Sequence, residues 1–425
     1  MSHLMSQSIN LYNHQLAKNK LFSKSVNFDL RRIKLILQKL NHPEKKLKNV
    51  INIIGSDGKY SLLTSLRYFI EANHQKTSAY ISPSLKDIRE RFWMGNNFLS
   101  YKEIKKTIKI IEKQKINLTI FEALTVIFIL NAARKNNDYN LIEAGALFAK
   151  DSTNLFDFPK IQAVVNINKQ HLNFLKNKTL NEVVYQKVGF LSNFTNIYIG
   201  KQKPLVLKKI KQLLKRNYSL IQYSNSWKLI KLNNNFFYKN KKIKIKLNTK
   251  YIHSKGLLEN LCLAIKIALD LKIDKKIIIK TIPKIKFEAR IDYIIKGRLT
   301  KKIYKNEKLL IDGCHSETSA KNLANYLKTL KIPIYGIWAM TKNKNPDRFI
   351  KQFKGIFRKI ITIPIENESA TLSNQLLFKI AKKNNYNSET SKSFEEALKK
   401  ISSKKKKIIV CFGSLYSAGN ILNKN

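Results

Sequence analysis

The segment GSDGKYS, residues 55–61, has the composition of a loop that binds the phosphates of a nucleotide. Glycines let backbone N–H groups approach phosphate oxygens, Lys59 would add positive charge beside the outer phosphates, and Ser61 could offer its hydroxyl to magnesium. In the common motif the lysine and the hydroxyl residue are adjacent, whereas here Tyr60 separates them. A plain turn with a solvated lysine would have the same composition, so the loop alone leaves both interpretations open.

The residues on either side of this loop predict a strand before it and a helix after it. Val50–Ile54 is an apolar run that is too short for a helix and ends at a glycine. Beyond Ser61, apolar residues return at a helical spacing, namely at Leu62, Leu63, Leu66, Phe69 and Ile70. Because a glycine loop between a strand and a helix directs backbone N–H groups toward a phosphate, this context favours nucleotide binding.

Four apolar runs beyond residue 305 predict a second unit of alternating strands and helices. They read KLLIDG, IPIYGIWAM, KIITIPI and KKIIVCFGS, and helical patterns lie between the first and the last. Such alternation is typical of a parallel sheet. The sequence therefore predicts an α/β protein with two domains, residues 1–285 and 286–425, and a length of 425 residues suits that number.

Two regions of the first domain have less regular patterns. Residues 104–139 have helical periodicity, and we expect residues 200–250, which are rich in lysine and asparagine, to form surface strands and loops. The most apolar segment, Leu118–Leu130, contains Glu122 and is short for a membrane span, so it predicts a buried helix.

The net charge of +53 comes from 81 basic and 28 acidic residues. Of the basic residues 70 are lysine, which is spread along the whole chain, whereas a nucleic-acid face would concentrate arginine and interleave aromatic residues. We therefore expect no specific nucleic-acid partner and no membrane partner. Three cysteines without paired spacing, and a first stretch of twenty residues without a signal-peptide run, predict a cytoplasmic protein.

Residues 28–61, FDLRRIKLILQKLNHPEKKLKNVINIIGSDGKYS, resemble the N-terminus of the folylpolyglutamate synthase/dihydrofolate synthase family, a branch of the Mur ligases. That family has the loop G-T-N-G-K-G-S, so a residue between the lysine and the serine is the family's own spacing. Eight further segments resemble family motifs in the same order along the chain: ISPSLKDIRERF, FEALTVIFI, IEAGALFAKDSTN, VNINKQH, YQKVGFL, FEARIDYI, IDGCHSE and CFGSLYSAG. Nine ordered matches over residues 28–419 make the resemblance specific.

The resemblance implies a P-loop ATPase domain of the Mur-ligase type at residues 1–285, with a mostly parallel central sheet and a folate-side segment at its N-terminus. It implies a Rossmann-like glutamate-ligase domain at residues 286–425. The implied reaction uses ATP to join L-glutamate to dihydropteroate or to a tetrahydrofolate through an acyl phosphate. The resemblance further implies two magnesium sites, one of them with a carbamylated Lys187. It also implies that the protein is a monomer whose partners are small-molecule substrates.

The resemblance also assigns roles to individual positions. The implied catalytic residues are Lys59, Lys187 and His315. The implied ATP-binding residues are Gly55, Ser56, Asp57, Gly58, Lys59, Tyr60, Ser61, Asn260, Arg290 and Asp312. Ser61 and Glu143 would hold the first magnesium ion, and His171 with carbamylated Lys187 would hold the second. Ser82 and Pro83 would line the pterin side, and Ser414 would lie in the glutamate region. Without the resemblance, His171 would be an ordinary loop histidine and Lys187 one of seventy lysines.

Several positions depart from the family motifs. Ser56 and Asp57 replace threonine and asparagine in the phosphate loop, Tyr60 replaces a small residue, and Gln170 replaces the aspartate before His171. The other departures are Ser84, Leu147, Phe148, Ala149 and Ser316. Because the changes fall mainly on the substrate side, two alternatives stay open: a Mur-type ligase for another acidic substrate, and a basic binding protein that has lost catalysis.

Overall fold

A computed structural model describes residues 22–23, 27–214, 218, 220–233, 235–342 and 344–425. The chain divides into two compact units. The first runs up to Lys250 and includes Leu257–Ile285, and the second consists of Tyr251–Gly256 and Lys286–Asn425. The sequence did not predict that the six residues Tyr251–Gly256 belong with the second unit.

The first unit contains a seven-stranded sheet in which one edge pair is antiparallel and the other pairs are parallel. Across the sheet the strands are Phe92–Met94 (β4), Thr77–Tyr80 (β3), Tyr139–Glu143 (β6), Val50–Ile54 (β2), Ile161–Val164 (β7), Asn196–Ile199 (β8) and Leu220–Tyr223 (β9). The central strands β2 and β6 are buried at every position, which explains their apolar runs.

Helices cover this sheet and two smaller sheets accompany it. The helices are Leu30–Lys39 (α1), Lys59–Ala72 (α2), Tyr101–Glu112 (α3), Ile120–Lys135 (α4), Leu180–Val188 (α5), Pro204–Leu213 (α6), Lys255–Asp270 (α7) and Lys275–Thr281 (α8). Phe22–Ser23 (β1) pairs in parallel with Leu118–Thr119 (β5), and Trp227–Leu232 (β10), Asn235–Asn240 (β11) and Lys244–Lys246 (β12) form an antiparallel sheet. Short 3₁₀ helices are Pro43–Lys46, Ile88–Arg91, Leu172–Phe174, Ile282–Lys284 and Arg298–Lys302.

The second unit has a six-stranded sheet, again parallel apart from one edge strand. Its strands, in order across the sheet, are Asp292–Ile294 (β13), Glu307–Asp312 (β14), Lys407–Phe412 (β18), Ile334–Trp338 (β15), Phe357–Thr362 (β16) and Ser388–Thr390 (β17). Its helices are Glu317–Leu327 (α9), Pro346–Lys351 (α10), Asn374–Lys383 (α11), Phe394–Ile401 (α12) and Leu415–Asn423 (α13). The predicted two-domain α/β fold with mostly parallel sheets is therefore confirmed.

Two predictions of secondary structure are correct only in part. Residues 104–139 are mostly helical, as predicted, but they form two helices, because Lys115 has a positive φ of 54° and Thr119 caps a new helix with a capping box that it forms with Glu122. Residues 200–250 include the helix α6, whose buried Val206 and Ile210 are one helical turn apart. Abundant lysine around these two residues obscured the helical pattern.

The prediction of a buried apolar helix at Leu118–Leu130 is correct, since α4 is buried from Glu122 to Ala132. Glu122 is 3% exposed and its carboxylate accepts two hydrogen bonds from the guanidinium of Arg32, at 2.8 and 3.2 Å. This ion pair fastens α1 to α4. No helix among the described residues has the length and apolar character needed to cross a bilayer.

Candidate active site

The loops that follow β2, β6 and β7 meet at one edge of the first unit's sheet, because parallel strands end at the same side. The loop after β2 contains two glycines with positive φ, Gly55 at 146° and Gly58 at 99°. A Cβ atom at Gly58 would lie 2.2 Å from Nδ2 of Asn260, and one at Gly55 would lie 2.4 Å from a methyl carbon of Val165. Both conformation and space therefore require glycine, and the loop lies tightly against its neighbours.

Lys59 and Glu143 lie side by side beyond the ends of two neighbouring strands. Nζ of Lys59, at the first residue of α2, is 3.8 Å from Oε1 of Glu143, the last residue of β6. The ammonium also lies 3.4 Å from the carbonyl oxygens of Gly55 and Ser56. A helix N-terminus, a cation and a buried carboxylate thus converge on this loop, and these are the kinds of group that a phosphate with a metal ion requires.

Ser61 is linked to helix α7 through Asn260. The Ser61 hydroxyl donates to the carbonyl of Gly58 at 2.9 Å and accepts a hydrogen bond from Nδ2 of Asn260, also at 2.9 Å. The same amide lies 3.4 Å from the Gly58 carbonyl oxygen. Asn260, which the sequence predicted to bind ATP, therefore braces the phosphate loop in this structure. Tyr60 lies between Lys59 and Ser61 at the start of α2 and is half-buried.

Lys187 is almost completely buried, with 1% of its surface exposed. Its ammonium donates to the carbonyl oxygen of Gly55 at 2.9 Å and to that of Ala146 at 2.6 Å, which joins the loops after β2 and β6. Burial, followed by the nearby charge of Lys59, lowers the pKa of Lys187 to about 7, although Asp151 and Asp57 oppose this shift. Near neutral pH a large fraction of this side chain is consequently the neutral amine.

Asp151 lies in the loop after β6 and is 2% exposed. One carboxylate oxygen accepts hydrogen bonds from the backbone N–H and the hydroxyl of Thr153, at 3.0 and 2.6 Å. Burial raises the pKa of Asp151, and hydrogen bonds from Thr153 act in the opposite direction. The side chain holds the turn that follows Gly145, where an added Cβ would lie 2.4 Å from Asp151 Oδ2.

His171 lies in the loop after β7. Its backbone has a positive φ of 59°, and its ring stacks on that of Phe174 with a centroid separation of 6.3 Å. Over the described ranges of the chain, no three or more His, Cys, Asp or Glu side chains cluster as a ready metal site. Ser61 and Glu143 still suit magnesium, because both offer hard oxygen atoms and magnesium keeps water and phosphate among its ligands.

The predicted substrate-side residues follow β3. Ser82 and Pro83 are joined by a cis peptide bond. The backbone N–H of Ser82 donates to Oε2 of Glu143 at 3.4 Å, and its hydroxyl accepts a hydrogen bond from Nη1 of Arg91 at 3.0 Å. Ser82 therefore links this segment to the carboxylate beside Lys59.

The second unit holds the remaining predicted residues. Asp312 ends β14, and its two carboxylate oxygens each accept a backbone hydrogen bond at 2.8 Å, from Ile291 and from Cys314. Burial raises the pKa of Asp312, and the guanidinium of Arg290 opposes that effect. Nη1 of Arg290 donates to the carbonyl of Ala289 at 2.9 Å.

His315 and Ser414 occupy loops that follow neighbouring strands of this sheet. Nδ1 of His315 is 2.9 Å from the carbonyl oxygen of Gly313, and that contact requires a proton on Nδ1. The hydroxyl of Ser414 caps helix α13, where it accepts hydrogen bonds from the N–H groups of Tyr416 and Ser417 at 3.1 and 3.5 Å. In this structure, then, the observed role of Ser414 is helix capping.

Hydrogen bonds and ion pairs connect ten of the predicted residues within the first unit in two networks. The larger network contains, directly or through loop residues, Gly55, Ser56, Asp57, Lys59, Ser82, Glu143 and Lys187. The smaller one contains Gly58, Ser61 and Asn260. Sequence reasoning missed Asn166 and Asn168, to which the phosphate loop is bonded, and Arg91, which holds Ser82. The sequence did contain a signal for the two asparagines, because they alternate with Ile167 just beyond a run of apolar residues.

Comparison with known proteins finds similarity along the chain. A family model described as the C-terminal domain of dihydrofolate synthetase matches residues 294–424. The dihydrofolate synthase/folylpolyglutamate synthase of Bacillus subtilis is 25% identical over 197 residues, which cover 44% of this chain and 45% of that relative. The protein of the same name from Buchnera aphidicola is 21% identical over 410 residues, which cover 95% of this chain and 94% of that relative.

Solved structures have the same fold over nearly the whole chain. Folylpolyglutamate synthase from Mycobacterium tuberculosis, complexed with ADP, has a TM-score of 0.86 at 17% identity and covers 99% of both chains. FolC of Escherichia coli in complex with DHPP and ADP gives 0.84 at 17% identity, with 97% of this chain and 96% of that chain covered. The bifunctional folylpolyglutamate synthase/dihydrofolate synthase from Yersinia pestis, complexed with AMPPNP and a Mn ion, gives 0.82 at 16% identity and covers 97% of both chains. A bifunctional enzyme of the same name with Mn, AMPPNP and L-glutamate bound gives 0.81 at 16% identity, with the same coverage.

Proposed function

We propose that the chain is an ATP-dependent ligase of the folylpolyglutamate synthase/dihydrofolate synthase family, which adds L-glutamate to a folate or pteroate carboxylate. The observation that carries this proposal is the pairing of Lys59 with Glu143, 3.8 Å apart, at the start of a helix. A triphosphate with magnesium needs a cation, an oxygen ligand for the metal and backbone N–H donors in one place. The names of the relatives supply the substrate class.

The proposed reaction has two steps. The substrate carboxylate attacks the γ-phosphorus of ATP, the bond from that phosphorus to the bridging oxygen breaks, and an acyl phosphate and ADP form. The amine of L-glutamate then attacks the acyl carbon, inorganic phosphate leaves, and the nitrogen loses a proton as the amide forms. Lys59 would hold the outer phosphates through its charge, and the glycine loop would orient them through its N–H groups.

We propose that Ser61 and Glu143 hold the first magnesium ion. When bound, the ion would neutralise negative charge on the phosphates and orient them. Ser82 contributes to this arrangement, because its N–H group contacts the Glu143 carboxylate and limits the directions in which that carboxylate can point. Together with Pro83 it forms the start of the proposed pterin-side loop.

A second magnesium site would use His171 and a carbamylated Lys187. Carbamylation joins the neutral amine nitrogen to the carbon of CO₂ and releases one proton, so that the neutral side chain becomes an anionic oxygen ligand. The lowered pKa of Lys187 supports this modification, because the reacting form is the neutral amine. Once Lys187 is carbamylated, its former carbonyl partners, Gly55 and Ala146, would no longer face a buried ammonium.

In the second unit we propose that Arg290 and Asp312 contact ATP and that His315 lies beside the acyl phosphate and the incoming glutamate. Asp312 is the last residue of β14 and Ser414 follows the adjacent parallel strand β18, and α/β proteins commonly bind ligands at such carboxyl ends. His315 is three residues beyond Asp312 in the same loop. Ser414 would contribute to glutamate binding through the N-terminus of the helix that it caps.

The direct test is release of ADP by purified protein in the presence of magnesium and bicarbonate. We expect release to require ATP, L-glutamate and either dihydropteroate or tetrahydrofolate. Glu143→Ala should abolish turnover and leave the circular dichroism spectrum unchanged. If neither folate supports glutamate-dependent release, the proposed function is wrong, and salt-sensitive RNA binding would then favour a basic binding protein.

A further inference from the structure

Asp57 places a carboxylate within the loop that, under the proposed function, binds the negatively charged phosphates of ATP. The structure shows what this carboxylate does. Oδ2 of Asp57 accepts a hydrogen bond from Nδ2 of Asn168 at 2.5 Å. Nε2 of Gln170 lies 3.1 Å from Oδ1 and 3.2 Å from Oδ2 of the same carboxylate. Two amide groups from one loop are thus directed at Asp57.

The loop that carries these amides follows β7 and consists of residues 165–171. It is bonded to the phosphate loop through the main chain as well, since the N–H groups of Ser56 and Asp57 lie 2.8 and 3.4 Å from the carbonyl oxygen of Asn166. The Ser56 hydroxyl both accepts from the N–H of Asn168 at 3.1 Å and donates to its carbonyl at 3.3 Å. These contacts orient the two loops. The Asp57 carboxylate adds to them by accepting the hydrogen bonds that the side-chain amides of Asn168 and Gln170 donate.

The same two positions depart from the motifs that the chain otherwise resembles. Those motifs have asparagine where this chain has Asp57, and aspartate where it has Gln170. A carboxylate and an amide have therefore exchanged places between two loops that are 113 residues apart in sequence and in contact in the structure. One exchange without the other would pair two carboxylates or two amides.

We propose that Asp57 and Gln170 are a matched positioning pair that holds the loop of residues 165–171, and with it His171, on the phosphate-binding loop. The inference rests on the proposed function for its catalytic consequence, but the pairing itself is a property of the ligand-free protein. The pair tolerates at most one carboxylate, and either residue can supply it.

A cycle of three variants tests the pair. Gln170→Glu keeps the side-chain length but brings a second carboxylate to about 3 Å from Asp57, and we expect it to weaken ATP binding on the order of tenfold or more. Asp57→Asn should change binding only about threefold, because the amide of Gln170 can rotate and present its oxygen. The double variant Asp57→Asn/Gln170→Glu restores one carboxylate and one amide, and should bind ATP within about threefold of wild type.

Asn173→Asp is the matched control, since it converts an exposed amide of the same region to a carboxylate at a position with no hydrogen bond to Asp57. It should leave ATP affinity within about twofold of wild type, which separates the effect of pairing from that of added charge. ATP affinity is measured by titration calorimetry without a folate, and denaturant unfolding of the ligand-free proteins is measured in parallel. The KM for ATP and the magnesium concentration that gives half the maximal rate should follow the same pattern.

Rescue in the double variant, both in ATP binding and in ligand-free unfolding, is the expected result. If the two changes combine without rescue, or if Asn173→Asp impairs binding as strongly as Gln170→Glu, the positioning pair is wrong. Failure of the proposed function would look different, because the wild-type protein itself would then release no ADP while rescue in unfolding persisted.

Discussion

Replacing Lys187 by methionine should change how the stability of the ligand-free protein depends on pH. Lys187 is buried, and its pKa is lowered from an ordinary value of 10.5 to about 7. Between these two values the unfolded chain holds a proton that the folded chain has released. The contribution of Lys187 therefore makes the protein more stable as pH rises from about 7 toward 10.5. Methionine carries no titratable proton, so the variant lacks this contribution.

Proton linkage gives the size of the effect. With the pKa lowered to about 7, lysine at this position costs the folded state about 4 kcal/mol at pH 7 and about 2 kcal/mol at pH 9. Methionine would leave the carbonyl groups of Gly55 and Ala146 without their donor, at a total cost of about 3 kcal/mol. The variant should consequently be about 1 kcal/mol more stable than wild type at pH 7 and about 1 kcal/mol less stable at pH 9.

Denaturant unfolding in buffers freed of CO₂ measures this difference without carbamylation. Lys176→Met, which removes an exposed lysine of the preceding loop, controls for the loss of one charge. The difference in stability between the Lys187→Met variant and wild type should change by about 2 kcal/mol from pH 7 to pH 9. This change does not depend on the cost assigned to the carbonyl groups. A stability difference that is the same at both pH values would refute the argument, because Lys187 would then titrate alike in the folded and unfolded chain.

Three further predictions concern catalysis and packing. Lys59→Ala should eliminate ADP release while Tyr60→Gly retains it, measured with saturating ATP; an inactive glycine variant would give Tyr60 a role of its own. Arg32→Met should lower the free energy of unfolding by about 3 kcal/mol, because it leaves the carboxylate of Glu122 buried without its cation; urea unfolding at constant pH measures this, and a loss below about 1 kcal/mol would contradict it. Ser414→Ala should cost about 1 kcal/mol through the lost helix cap, whereas Ser414→Thr, which keeps the hydroxyl, should cost less.

The sequence predicted the strand, the glycine loop and the helix of residues 50–72 well because their determinants are local. Val50–Ile54, the two glycines and the helical period after Ser61 lie within about twenty residues of one another, and each has one dominant structural meaning. The contacts that complete the site are not local. Lys187 is 132 residues from Gly55, and Asn260 is 199 residues from Ser61. Periodicity contains no information about such pairs, so only the ordered family motifs could suggest them.

The missed elements have a related cause. Helix α6 has only two fully buried residues, Val206 and Ile210, and its exposed lysines match the background of a chain with seventy of them. Tyr251–Gly256 groups with the second unit through contacts to distant residues, including a hydrogen bond of 2.9 Å between the Asn322 amide and the Ser254 hydroxyl. Where composition is uniform and the decisive contacts are distant, local patterns do not identify the structure.

Some of the positions that disfavour folding lie together at the edge of the first unit's sheet. A nearly buried lysine that donates to carbonyl oxygens and a carboxylate within the glycine loop each disfavour folding when considered alone. Elsewhere in the same unit, β2 and α4 follow the rules closely, with apolar runs where they are buried. The proximity of the lysine and the carboxylate around Gly55 favours binding, rather than stability, as the reason for these residues.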